Sequence, residues 1–181
     1  MKQRLKCFYK KTVKPQLQRR IQYKNIHKIP RVEKIVINRG LGEIRQNRSL
    51  LKSSLQELKK ITGQCRIIKS AQKDISSFKI RKRKTPVAII VTLRGVRIYA
   101  FLDRLMNLAL PRIRDFQGVN YHRFDGYGNY SIGFKEQMMF PEIDYEKIKI
   151  FHGINLSIVT SAKNDIERRI LLEILGIPFK K

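Results

Sequence analysis

Residues 69–97, KSAQKDISSFKIRKRKTPVAIIVTLRGVR, join a basic, serine-dotted loop to an apolar strand. Ser70–Thr85 has no apolar periodicity and carries Lys73, Lys79, Arg81, Lys82, Arg83 and Lys84, with only Asp74 opposing them. Phe78, Ser76 and Ser77 lie among these cations. An unpatterned connection of this length is uncommon in a compact domain unless it has a task or is unstructured. Cations, hydroxyls and one aromatic together suit RNA backbone contact and base stacking. Val87–Leu93, by contrast, is nearly continuous in β-branched and aliphatic residues and reads as a buried strand, opened by Pro86 and closed by Arg94-Gly95. Alternation about Leu93 puts Thr92 and Arg94 on one face, where they form either a solvated pair or a contact to phosphates and base edges.

The whole chain shares the bias. Its 181 residues hold 40 Lys plus Arg against 14 Asp plus Glu, a net charge of +26, with 42% hydrophobic residues. That apolar content supports a globular fold, and the length suits one domain with a sizeable core. The charge calls for a polyanion, since self-repulsion otherwise opposes compaction. Nucleic acid fits, because cations placed on its phosphates release counterions. A membrane fits less well: no apolar run approaches spanning length, and the basic segments lack a wide hydrophobic face. Cys7 and Cys65 stand far apart without Cys or His at ligand spacing, which predicts reduced thiols and no zinc site. The N-terminal MKQRLKCFYKK lacks a signal-peptide apolar core and reads as mature protein.

Outward from the central stretch, Leu5, Phe8, Tyr9, Leu17 and Ile21 predict an N-terminal basic helix over about 2–22, bent near Pro15. A solvated amphipathic helix and one lying along phosphates are both compatible with it. Val32–Asn38 reads as a strand and Arg39–Glu43 as a turn; its Gly-x-Gly lacks the third glycine of a dinucleotide site. Ser49 is the expected cap of a helix built on Leu51, Leu55, Leu58 and Ile61 and stopped by Gly63. Gln64–Lys69 is a second strand. Val96–Leu110 is a helix ended by Pro111, with Arg112 and Arg114 projecting beyond it. Tyr130–Lys135 and Asn155–Thr160 are strands, and a helix capped by Asn164 or Asp165 ends at Gly176. The predicted class is α+β: a mostly antiparallel sheet with helices packed on one face, and the long basic loop between the second and third strands.

Catalytic chemistry has little support. His27, His122 and His152 are isolated from any nucleophile arrangement. Glu136, Glu142, Asp144 and Glu146 form one acidic island, whose carboxylates would be a Mg²⁺ site only in a metal-dependent nuclease. No base sits beside them in a recognisable motif, and a docking patch for a basic partner accounts better for them. No catalytic residue, metal ligand or cofactor is assigned. A free RNA chaperone or regulator would share the charge and is a binding-class reading of it.

The segments VEKIVINRGLGE (32–43), ITGQ (61–64), FKIR (78–81), VTLRG (91–95), FLDRLMNLALPRIRDF (101–116), FDGYGNY (124–130), FPEIDY (140–145) and LLEILGIPF (171–179) together resemble the bacterial-type ribosomal protein five family of the large subunit, over residues 2–179. The resemblance implies a structural, non-enzymatic protein of the central protuberance that binds 5S rRNA beside 23S rRNA and other ribosomal proteins there. It implies 5S contacts at Asn38, Arg39, Gln64, Thr92 and Arg94, with Gly95 allowing close approach. The loop, Lys73, Ser76, Ser77, Phe78, Lys79, Arg81, Lys82 and Arg83, would reach the P-site tRNA. Arg112, Arg114, Glu136, Glu142, Asp144 and Glu146 would bridge to a small-subunit head protein. The Ile- and Lys-rich style resembles plastid-encoded members, which implies a ribosome in the chloroplast stroma, with the bacterial cytoplasm as the alternative. Two departures stand out: Arg81-Lys82-Arg83 replaces the family's Arg-Glu-Gly, and Tyr127 replaces the arginine of Asp-Gly-Arg-Gly-Asn.

Overall fold

The computed structural model describes residues 3–42, 47–75, 85–127, 129–148, 150–162 and 164–180. Five strands, β1 Val32–Gly40, β2 Ile67–Ser70, β3 Pro86–Arg94, β4 Asn129–Phe134 and β5 Ile154–Thr160, form one antiparallel sheet in the order β2-β3-β1-β5-β4. The helices are α1 Arg4–Phe8, α2 Lys14–Ile21, α3 Arg48–Thr62, α4 Val96–Arg104 and α5 Asp165–Leu175. The fold is α+β. Its backbone clusters into two compact units, one of Met1–Ile35, Leu93–Ile132 and Ser157–Lys181, the other of Val36–Thr92 and Gly133–Leu156.

Strand burial follows the two-residue pleat. Ile89, Val91 and Leu93 of β3 are buried, as are Ile154, Leu156 and Ile158 of β5 and Tyr130 and Ile132 of β4. The positions between them are polar, small or half-buried. This single alternation separates a core face from an open one. At the edge of the sheet β2 pairs antiparallel with β3, Ile67 opposite Ile90 and Lys69 opposite Ala88, and all four of its residues are exposed. A short edge strand carrying a lysine disfavours further strand pairing.

In the first unit the N-terminal helix runs as α1, a π-turn Tyr9–Val13 and α2, burying Leu5, Val13 and Leu17. Pro15 stands in the first turn of α2, directly after the π-turn. The same arrangement recurs after α4, where a π-turn Leu105–Ala109 precedes Pro111 in a 3-10 turn Leu110–Arg112. A proline lacks an N–H and its ring presses on the carbonyl four residues back; widening the preceding turn relieves both problems. The expected bend at Pro15 and stop at Pro111 are therefore irregular turns whose flanking residues keep helical dihedrals. Tyr9 packs against Tyr99 at 5.8 Å and donates to the Pro30 carbonyl at 3.0 Å. Burial raises the Tyr99 phenol to about 12.

Sequence-based boundaries shift at several ends. Asn47, not Ser49, caps α3: its side chain accepts the Ser49 N–H at 3.0 Å, the geometry of an N-cap two residues before its donor. The second strand starts at Ile67 rather than Gln64, because Gln64 leaves the end of α3 with its side chain turned to a backbone carbonyl. Arg39 and Gly40 belong to β1 and not to a turn. Asn164 takes the N-cap position of α5, with no side-chain capping bond.

The C-terminal segment is strapped down beside Gly118. Val119 pairs in parallel with Phe179, its N–H donating to the Pro178 carbonyl at 2.8 Å and its carbonyl accepting from Lys180 at 3.0 Å. Gly118 has φ +101°, and a Cβ there would sit 2.6 Å from the Lys180 backbone nitrogen. Both the dihedral and the approach demand glycine. Gly118→Ala is expected to destabilise the protein by about 1–3 kcal/mol, read as a lower urea midpoint; an unchanged midpoint would show that the strap contributes nothing.

Candidate nucleic-acid interface

β1 decides the layout of the second unit's polar residues. From Ile35 onward its odd positions are buried, so Ile35, Ile37 and Arg39 face the core, while Asn38 lies on the opposite face. Asn38 and Arg39, paired by sequence reasoning as RNA contacts, thus point away from each other. Arg39 is 0% exposed; its guanidinium donates to Glu57 Oε2 at 2.7 Å and to Ser54 Oγ at 3.0 Å, both on α3. Burial lowers its pKa, and the Glu57 carboxylate works against that shift. Its Nε and Nη2 have no hydrogen-bond partner among the described residues. This cation is spent inside the protein, and it holds the strand that carries Asn38 to α3. The pleat was the available signal: apolar Ile35 and Ile37 define the inward register that Arg39 continues.

Asn38 is half-buried, and its Oδ1, closed to solvent, has no hydrogen-bond partner among the described residues. Gln64 is also half-buried; its Nε2 donates to the Thr92 carbonyl at 2.9 Å, tying the end of α3 to β3. Thr92 is half-exposed on the outward side of β3. In the first unit, Arg94 ends β3 fully open, and Gly95 turns into α4 with φ +63°. A Cβ at Gly95 would meet nothing within 4 Å, so its backbone dihedral, not crowding within the chain, requires glycine.

Of the loop residues, Lys73 is exposed, with Asp74 beside it. Ser76, Ser77, Phe78, Lys79, Arg81, Lys82 and Arg83 lie outside the described residues. The third group divides between the units: Arg112 and Arg114 are exposed in the first, and the four carboxylates belong to the second. Glu136, Asp144 and Glu146 are exposed and Glu142 half-buried. Asp144 pairs with Lys60 at 3.6 Å. Among the described residues no group of three or more His, Cys, Asp or Glu side chains is placed to hold a metal ion, and no helix is long and apolar enough to cross a membrane.

Sequence reasoning missed two features of this unit. Tyr145, Ile150 and Phe151 are exposed large side chains in the stretch that holds the acidic island. His152 adjoins the Arg39 pair: burial, then the Arg39 charge, lower its imidazole below the ordinary 6.5, against the pull of Glu57. The His152 backbone N–H donates to Gln137 Oε1, and Gln137 is fully buried with Nε2 donating to the Ile150 carbonyl at 2.9 Å. Gln137 thereby fixes the backbone just before His152. In the first unit, Asp125 Oδ1 accepts the N–H groups of Tyr127 and Asn129, each at 2.9 Å, and shapes the turn. Tyr127 is left 91% exposed at that turn.

The inward ion pair yields a direct test. Glu57→Ala strands a buried guanidinium and is expected to cost about 3–5 kcal/mol, whereas Arg39→Met with Glu57→Leu removes both charges and costs far less. Urea unfolding of both variants checks this; equal losses would mean that shape, and not charge pairing, accounts for the cluster.

Two family models match the chain: Ribosomal protein L5 over residues 25–81, and the ribosomal L5P family C-terminus over residues 86–179. The large ribosomal subunit protein uL5 of Synechocystis sp. is 55% identical over 180 residues, 99% of both chains. The proteins named uL5c of Stigeoclonium helveticum and Tupiella akineta are 56% identical over 180 residues and 55% over 181, covering 99% and 100% of each chain pair. Relatives are thus both cyanobacterial and chloroplast proteins, and the family is one of ribosomal structural proteins, not enzymes. With both family models and full-length relatives matching, the chain belongs to the ribosomal protein L5 family.

Proposed function

We propose that the protein is a structural component of the large ribosomal subunit that holds 5S rRNA in the central protuberance. The observation that carries this reading is the turning-out of Asn38, Thr92 and Arg94 from strands whose intervening residues are core. Such groups read a shaped RNA surface, while the chain's +26 charge supplies phosphate affinity and position. Gln64 orients the β3 backbone at Thr92. Arg39 acts behind the surface as a positioning residue, by holding Asn38's strand to α3.

The remaining contacts follow the same division of labour. 23S rRNA and neighbouring proteins take the other basic surfaces. The loop carrying Lys73–Arg83 touches the P-site tRNA, with Lys82 and Arg83 adding charge where the family has a carboxylate and a glycine. Glu136, Asp144 and Glu146, set in the stretch with Tyr145, Ile150 and Phe151, dock a basic small-subunit head protein: the carboxylates steer it and the apolar groups bury. Arg112 and Arg114 are assigned to the same bridge. The uL5c relatives and the plastid-like composition support a chloroplast ribosome.

Arg94→Ala and Asn38→Ala are each expected to weaken 5S rRNA binding by about 1–3 kcal/mol, measured by filter binding of the full chain. Unchanged affinity in both would remove the assignment. Neutralising Lys79, Arg81, Lys82, Arg83 and Lys84 together is expected to leave 5S binding intact and reduce P-site tRNA occupancy on assembled ribosomes. Loss of 5S binding in that variant would make the loop part of the 5S anchor instead.

A further inference from the structure

The first unit carries an ordered stack of flat side chains. Phe179 lies nearly parallel to Tyr121, with centroids 5.0 Å apart and planes 13° apart. The Arg169 guanidinium carbon stands 4.1 Å over the Tyr121 ring. Tyr121 is thus in contact with both groups. Phe179 is in turn held by Tyr130, edge-on at 5.6 Å, and by Phe124 at 6.2 Å, and its backbone neighbours Pro178 and Lys180 are both hydrogen-bonded to Val119. The stack is thus rigid from its inner end outward.

At its outer end Arg169 is exposed. Glu173, one helical turn on and an expected ion-pair partner for it, makes no salt bridge with it among the described residues. The neighbouring Arg168 does the opposite job. It is buried, pairs with Asp165, and donates to the Gly126 and Ala162 carbonyls, which fixes α5 against the turn carrying Tyr127. Two adjacent arginines therefore divide into one that holds the fold and one whose guanidinium sits over an aromatic ring. A guanidinium already ordered in this way stacks on a nucleobase at small entropic cost, and its charge favours a polyanion's base over a neutral aromatic. Exposed Arg123 and Lys180 add cations on segments that carry the same cluster.

We propose that Arg169, backed by Tyr121 and Phe179, is a stacking platform for an unpaired base of ribosomal RNA. This rests on the reading that the chain's polyanion is RNA, but uses none of the strand-end residues assigned to 5S rRNA. The test is zero-length ultraviolet cross-linking of intact large subunits containing the full chain, followed by nuclease digestion and peptide mass spectrometry. A nucleotide adduct is expected on the peptide bearing Tyr121 or Arg169. Arg169→Lys keeps the charge and lies on an exposed helix position, so the subunit still assembles; loss of the guanidinium plane is expected to cut adduct yield at least about fivefold. Absence of an adduct in wild-type subunits would overturn the platform, leaving the stack to pack against protein. An undiminished adduct in Arg169→Lys would also overturn it, since charge alone would then suffice. In either case the chain's retention with 5S rRNA in those subunits reports separately on the 5S reading.

Discussion

Carboxylates are scarce in this chain, 14 against 40 lysines and arginines, and their placement decides which cations the fold can take inside. A buried guanidinium is tolerable only when a carboxylate and further hydrogen bonds meet it. Glu57 meets Arg39 beneath β1, and Asp165 meets Arg168 at the start of α5. Asp103 on α4 accepts from Arg4 on α1 in an exposed pair that links the two helices. Among the described residues, cations such as Lys73, Arg112, Arg114 and Arg123 stand exposed at the surface. The separation of structural from available charge follows from this shortage.

That separation explains why neighbouring residues have opposite roles. Asn38 and Arg39 are adjacent in sequence and lie on opposite faces of β1, one outward and one paired beneath. Arg168 and Arg169 are adjacent on α5, one nearly fully buried and one stacked on Tyr121. In both cases the backbone period, two residues in the strand and 3.6 in the helix, allots the roles. Charge density alone does not distinguish such neighbours.

The same reasoning marks what was legible in the sequence. The α+β class, the five strands and the main helices follow from apolar periodicity, and Gly63 and Gly176 end α3 and α5 in left-handed conformations as expected. The inward path of Arg39 was legible in principle from Ile35 and Ile37, yet naming its partner needs the distance to Glu57, eighteen residues on. The π-turns before Pro15 and Pro111 were not legible, because periodicity marks an interrupted helix without saying how the proline is absorbed. Nor was the Phe179–Tyr121–Arg169 stack, whose members are brought together by the Val119–Phe179 strap and not by local spacing.

An open, cation-rich surface on a fold that has already paired its inward arginines leaves RNA as the compensating partner, and membership of the ribosomal protein L5 family makes that RNA ribosomal. The most direct measurement is sucrose-gradient sedimentation of the tagged chain with the fractions probed for 5S rRNA. The account predicts that the chain travels with the large subunit and, once the subunit is dissociated, stays with 5S rRNA in a small particle. A chain that sediments free of both would contradict it.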